Sequence, residues 1–365
     1  MCTVDQVLMA VRIILKVGPQ ELFRLFETQD PLYFNQQQPF GTETGCTYDS
    51  QSYLSVFHLA TNSELIEHTE KMANAIHALI ATTILESKTE FFDGVPASGK
   101  LEFKKFVAAL TLRHIEAKAV NAAATVELQG LENISFAESF SQKIPPEKLS
   151  QQIASIRVRK FAGGMYPLFS LMNHSCDPNV YYLNDVVKGK MVVMAHRALK
   201  KGEPLFVSYN SGFANIGADD RQTELEERYY FKCRCIACEQ NWPTISDLWD
   251  RDPLFCCPAC SKSFFEYEKG SKEFKKTVLT PLRWKCRRCG KNYKKAELRR
   301  RLDVNMGLAQ EIHRLFLLNR PRKAFDIFLK VLDFFQYYLS PPNGQMYYLQ
   351  ELFLKAVALI FHFSQ

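Results

Sequence analysis

No part of this 365-residue sequence reads as a secretion signal or a membrane span. The apolar piece Val7–Lys16 is interrupted by Arg12 and is followed by no small-residue cleavage site. The last apolar segment, Tyr347–Phe363, carries Glu351 and Lys355 and is short for a span. Low-complexity tracts and clear internal repeats are also missing. Tryptophan is scarce, with three residues, but 28 Phe and 15 Tyr exclude a disordered chain and predict well-filled cores. These absences point to an intracellular, reducing compartment and no membrane partner. There, eleven cysteines are not expected to form disulfides.

The chain divides by texture. Val4, Val7, Leu8, Val11, Ile14 and Leu15 recur at helical spacing, and Gly18-Pro19 stops that helix. A short second helix follows over Gln20–Phe26. Residues 52–87 read as helix with Leu65, Ile66, Met72, Ile76, Leu79 and Ile80 on one face. Residues 101–126 form a third helical run. Short β-like pieces come next, at Ala154–Arg159, Asn179–Leu183, Lys190–Ala195 and Pro204–Tyr209, with a hairpin turn at Lys188-Gly189-Lys190. Residues 219–231 return to helix. Beyond Arg301 the chain reads as about three helices, broken at 319–321 and 340–344.

Eight cysteines lie between Cys233 and Cys289 in metal-ligand spacings. Cys257-x-x-Cys260 and Cys286-x-x-Cys289 are paired knuckles, and two such turns complete a closed structural zinc site. The pieces Phe264–Tyr267 and Thr277–Thr280 between them suit a hairpin. Cys233-x-Cys235-x-x-Cys238 is one thiolate short, and Cys176 is the candidate fourth donor. Two four-thiolate sites then leave Cys2, Cys46 and Cys256 over. The net charge of +7 is local as well. Residues 269–301 carry fourteen lysines and arginines against Glu273 and Glu297, a local +12 that leaves the remainder at −5. Such a patch can neutralise phosphates, with Phe264, Phe265, Tyr267, Trp284 and Tyr293 for stacking. A solvated ribbon face is the preferred reading, because no recognition helix accompanies it.

The stretch Phe169–Val180 organises the rest. It begins apolar, turns polar at Asn173-His174-Ser175-Cys176, and closes on the turn former Asp177-Pro178-Asn179. It therefore delivers an amide, an imidazole and a thiolate to one buried place.

In this order, Asn173-His174-Ser175-Cys176-Asp-Pro-Asn179, Gly202-Glu203, Tyr209, Arg221, Leu225, Tyr229, Phe231 and the Cys233/Cys235/Cys238 cluster resemble the SET-and-MYND (SMYD) family of protein-lysine methyltransferases. The helical C-terminus looks like the branch with tetratricopeptide-like helices. The resemblance implies an α+β fold: a SET-type β core with a large helical insert, a cysteine-rich post-SET zinc region and a helical C-terminal domain. The expected divisions are 1–125 helical insert, 126–218 SET core, 219–245 post-SET segment, 246–301 basic zinc-ribbon-like insertion and 302–365 helical region.

The resemblance also implies S-adenosylmethionine as methyl donor and a protein lysine as acceptor. By motif, Tyr209 is the catalytic tyrosine. Asn173, His174, Tyr229, Phe231 and Asn121 contact the cofactor, and Tyr229 and Phe231 also line the lysine channel. Cys176, Cys233, Cys235 and Cys238 hold one zinc ion, and Cys257, Cys260, Cys286 and Cys289 a second. Neither the family's Gly-x-Gly cofactor loop nor its MYND finger stands before residue 121, so either a fragment or alternative product or an incomplete cofactor site is expected, and a half-site lacking that loop is expected to bind the cofactor weakly. The competing expectation is an inactive SET-like zinc protein that serves as a chromatin or repressor-complex partner.

Overall fold

Gly18 and Pro19 end one helix and open the next. Gly18 takes φ +86°, a conformation costly for residues with a Cβ, and its N–H closes on the Ile14 carbonyl at 3.0 Å. The flanking helices are α1 (Val4–Val17) and α2 (Pro19–Thr28). The computed structural model describes residues 4–28, 52–129, 157–185, 189–195, 197–210, 212–249, 254–267, 274–276, 283–318, 320–347 and 349–350. They form two compact units. The first comprises residues 1–125, 162–172 and 226–231; the second comprises 126–161, 173–225 and 232–365. No helix among the described residues is long and apolar enough to cross a membrane.

The first unit is helical. Helices α3 (His68–Lys88) and α4 (Ala97–Asn121) join α1 and α2. Ile14, Leu22, Phe92, Phe103 and Val107 are buried in one cluster, with Phe23 edge-on to Phe103 at 5.1 Å. The third helical run ends earlier than its spacing suggests, because Ala122–Gln129 is strand β1 and not helix. The face of α3 also differs from expectation. Met72, Ile76, Leu79 and Ile80 are exposed, while Ala78, Ala81, Thr82 and Leu85 are buried. The reason is close approach: Ala78 packs with Ala10 of α1 and Ile115 of α4 in one small cluster. Small residues let the backbones meet, and the large apolar ones are left outside.

The second unit is built from short strands. Strand β2 (Arg157–Met165) pairs with β1, and each of these two strands belongs in part to each unit. Strand β3 (Asn173–His174) pairs parallel with β6 (Phe206–Val207), Asn173 opposite Phe206 and His174 opposite Val207. Strands β4 (Val180–Asp185) and β5 (Lys190–Ala195) form an antiparallel hairpin, as their alternation predicts. Helix α5 (Ala218–Tyr229) follows.

In the ribbon, Phe265–Tyr267 pairs with Phe274–Lys276, and Arg283–Lys285 with Asn292–Lys294. The hairpin partner thus precedes the expected 277–280, which lies outside the described residues. Helices α6 (Lys295–Leu317) and α7 (Pro321–Tyr338) complete the unit. They share one core with the ribbon, in which Phe255, Phe264 and Trp284 join Ile312, Phe328 and Phe335.

His114 sits fully buried on α4, and its Nε2 is hydrogen-bonded with the Tyr53 hydroxyl at 2.7 Å. Burial, with the nearby Arg113 charge, lowers its pKa from the ordinary 6.5 to about 3. The folded state therefore favours the neutral ring. The stability this contributes is complete above pH 6.5 and is lost as pH falls toward 3. Urea unfolding of the helical unit should weaken by about 1.4 kcal/mol per pH unit below 6.5. A stability that is flat between pH 7 and pH 5 would contradict this assignment.

Candidate metal centre and active site

An apolar segment ends at Met172, and β3 then carries Asn173 and His174 into the second unit. Its pairing with β6 is extended by Ser175, whose N–H reaches the Val207 carbonyl at 3.0 Å. Cys176 follows, 1% exposed. Its Sγ and those of Cys233, Cys235 and Cys238 all lie within 4.8 Å of one another, with Cys176 and Cys238 3.5 Å apart. A tetrahedral zinc ion with bonds of about 2.3 Å needs sulfurs about 3.8 Å apart, so this donor set fits zinc closely.

The thiols behave as one group. A hydrogen bond from Cys176 pulls Cys233 and Cys235 down, Cys235 to about 5, while Cys233 in turn pushes Cys176 up. Four such sulfurs cannot all ionise without a cation among them, and a divalent ion replaces the shared protons.

Three neighbours fix this arrangement. The first is His174. Its Nδ1 accepts the Tyr209 backbone N–H at 2.9 Å, which leaves the proton of the neutral ring on Nε2, 3.3 Å from Cys176 Sγ. The ring thus links the thiolate cluster to the loop that carries Tyr209, and the two rings lie 5.3 Å apart between centroids. The second is Asn179, 1% exposed. Its Oδ1 accepts the Phe206 N–H at 2.7 Å and its Nδ2 donates to the Pro204 carbonyl at 2.9 Å, which pins the segment before β6. The third is Arg221, fully buried, which donates to the Ile216 carbonyl at 2.7 Å and lies 3.9 Å from Cys238 Sγ. A guanidinium there offsets the negative charge of the thiolates.

Two contacts complete the crossing of chains. Gly212, at φ +70°, lets the backbone pass so close to Cys176 that a Cβ would stand 3.1 Å from the Cys176 carbonyl oxygen. The same carbonyl accepts the Phe213 N–H at 3.1 Å. The Gln222 side chain then grips Cys233, its Nε2 on the Cys233 carbonyl at 2.8 Å and its Oε1 on the Cys233 N–H at 3.0 Å. Sequence reasoning missed Gln222 altogether, and it placed Asn179 in a turn and a motif without assigning its side chain a contact. A glutamine on a polar helix carries no distinguishing signal. The Asp177 carboxyl beside the centre is raised to about 6 by burial, against the pull of Arg197.

The second cysteine set is equally well formed. Cys257, Cys260, Cys286 and Cys289 also lie within 4.8 Å of one another, with Cys257–Cys289 and Cys260–Cys286 each at 3.5 Å. The Tyr293 hydroxyl stands 3.5 Å from Cys257 Sγ. Cys256 is buried but belongs to neither set; its N–H binds the Tyr338 carbonyl.

The remaining candidates, Asn121, Tyr229 and Phe231, lie in the helical unit. Asn121 ends α4, and its Nδ2 donates to the Ala60 and Ala117 carbonyls, both at 2.7 Å. It borders a polar cleft of about 400 Å³ that Arg113, Glu64 and Ser170 also line.

Residues 48–210 match the SET domain family. The chain is 30% identical to human protein-lysine N-methyltransferase SMYD4 over 112 residues, which cover 30% of this chain and 13% of that protein. It is 33% identical to mouse histone-lysine N-methyltransferase SMYD3 over 88 residues, 24% of this chain and 19% of that one. Zebrafish SMYD4 aligns more widely, at 23% identity over 281 residues, 64% of this chain and 34% of that protein.

Both cysteine sets should hold zinc independently. The purified protein should contain two zinc ions, and Cys286→Ser should retain one, by elemental analysis. Retention of both ions by that variant would show that the second set is not a metal site.

Proposed function

We propose that this chain, which carries a SET domain and is related to the SMYD protein-lysine methyltransferases, is itself a protein-lysine N-methyltransferase that uses S-adenosylmethionine. The observation that carries the reading is the hydrogen bond from the Tyr209 N–H to His174, anchored on the Cys176 cluster. It fixes the last strand of the matched domain against the Asn173-His174 pair.

S-adenosylmethionine, when bound, supplies a methyl group on a positively charged sulfur. Transfer to an amine is an in-line displacement, so alignment provides much of the rate. The acceptor lysine must be neutral, although its free pKa is about 10.4. An apolar channel and a nearby positive charge both disfavour the ammonium form. Tyr209 is assigned to accept the amine's remaining N–H and orient its lone pair, and its backbone is held for that task by His174. Asn173 and His174 are assigned as cofactor contacts. Asn121, Tyr229 and Phe231 are assigned the same role on the resemblance, and of the three Asn121 borders the polar cleft.

The substrate class is a protein lysine, histone or otherwise. Chromatin and repressor-complex proteins are the proposed partners, with nucleus and cytoplasm as the proposed location.

The test separates binding from transfer. Calorimetry should detect S-adenosylmethionine binding to the zinc-loaded protein. Tyr209→Phe should keep that binding while methyl transfer to histone lysines, followed with a radiolabelled donor, falls roughly 100-fold. Binding without any Tyr209 dependence of transfer would remove Tyr209 from the chemistry. No binding at all would favour an inactive, zinc-stabilised interaction protein.

A further inference from the structure

The second strand pair of the ribbon, Arg283–Lys285 with Asn292–Lys294, has two unlike faces. Trp284 is buried and Tyr293 half-buried, so the alternation of a strand turns Arg283, Lys285, Asn292 and Lys294 outward, where all four are exposed. The Cys286–Cys289 knuckle that joins the strands adds Arg287, Arg288 and Lys291, also exposed. From 283 to 295 the chain has seven lysines and arginines and no acid.

The fold does not require these charges. Any polar residue suits the outer face of a hairpin, and the register sets Arg283 directly opposite Lys294, where like charges oppose pairing. A zinc ion among four thiolates leaves a formal charge of about −2, too little to balance seven cations. Neighbouring cations are already engaged. Arg300 and Arg301 pair with Glu297 at 3.0 and 2.9 Å, and Lys295 lies 5.9 Å from the Trp284 ring centroid. Lys285, Arg288, Lys291 and Lys294 make no ion pair among the described residues.

The surroundings of these four side chains choose the partner. Single-stranded nucleic acid needs aromatic faces for its bases. Phe264 and Trp284 are buried in the shared core, and the Tyr293 hydroxyl stands against Cys257 Sγ. Protein interfaces centre on apolar and aromatic anchors and are poor in lysine. Proteins that lie on a membrane sink an apolar face among the lipids. Among the described residues from 283 to 301, no large apolar side chain is exposed. A duplex instead presents closely spaced phosphates, and the surfaces that bind it are polar and strongly basic. Contact with phosphates needs no recognition helix, which serves base readout.

We propose that this face of the ribbon docks on the phosphate backbone of a nucleic-acid duplex through Lys285, Arg288, Lys291 and Lys294, without reading its sequence. The proposal does not rest on methyl transfer, because the ribbon is built on its own cysteine set, which includes none of Asn173, His174 and Tyr209.

The probe is a random-sequence DNA duplex of about 20 base pairs, titrated with the zinc-loaded full chain and followed by fluorescence anisotropy. An RNA duplex of the same length runs alongside, and the tighter of the two names the form of nucleic acid. About four phosphate contacts predict a roughly 100-fold loss of affinity between 50 and 200 mM salt. Lys285→Gln with Lys294→Gln should lower the slope of log affinity against log salt by about two, and so should Arg288→Gln with Lys291→Gln. Lys200→Gln with Lys201→Gln, which removes two exposed charges outside the ribbon, should leave the slope unchanged. Zinc content and circular dichroism establish that each variant is folded, and either ribbon pair suffices for the comparison. The proposal is overturned if neither duplex binds saturably at the lower salt, if affinity is insensitive to salt, or if both ribbon variants keep the wild-type slope. A Lys200 and Lys201 variant that loses as much slope as the ribbon variants also overturns it. So does tighter binding at the same salt to poly-glutamate or to phosphatidylserine vesicles, which would assign the face to an acidic protein or a membrane. A preference beyond roughly tenfold between two duplex sequences would equally overturn it, in favour of base readout.

Discussion

Four sulfur atoms confined within 4.8 Å are the constraint on which the SET-like part of this structure depends. Thiols at that separation share protons uneasily and thiolates repel, so the cluster is stable only around a cation. Cys176 and the Cys233/Cys235/Cys238 trio are more than fifty residues apart in sequence. Bringing them to one cluster closes a long loop of chain, and a shared ion there would fix what lies inside it. His174 takes its orientation from Cys176 on one side and the Tyr209 N–H on the other. Gly212, at φ +70°, then admits a crossing at which a Cβ would press on the Cys176 carbonyl oxygen. The backbone position of Tyr209 is therefore tied to the cysteine cluster through one imidazole.

The two buried polar residues around this crossing work by different means. Asn179 is neutral and meets both a backbone donor and a backbone acceptor, so burying it leaves its amide paired. Arg221 is charged and fully buried, which would be prohibitive without compensation. Its carbonyl partners and the adjacent Cys238 sulfur supply that compensation. Loss of the ion would leave the protein with thiols that reprotonate and a guanidinium short of countercharge, so metal binding and local folding are coupled on both sides of the cluster.

The two cysteine clusters were the most legible part of the sequence, because CxxC and CxC turns constrain sulfur positions locally and the count of thiolates limits the groupings. The helix boundary at Gly18-Pro19 and the hairpin between Val180 and Ala195 were legible for similar reasons, one local φ requirement and one alternation. The buried face of His68–Lys88 was not. There a close helix contact selects Ala78 over Ile76, and residue hydrophobicity alone points to the wrong side. Strand β1 was hidden by its alanines, which favour helix until a partner strand satisfies their backbone groups. Gln222 was invisible because its value lies in a contact eleven residues away.

The most direct test of the account is the coordination of the first ion, measured by X-ray absorption at the zinc edge. The protein for this measurement carries Cys257→Ser and Cys286→Ser, so that the ribbon set does not contribute. Four sulfur scatterers at about 2.3 Å are expected, falling to three with an added nitrogen or oxygen when Cys176→Ser is introduced. An unchanged sulfur shell after that last substitution would contradict the claim that Cys176 shares its ion with Cys233, Cys235 and Cys238.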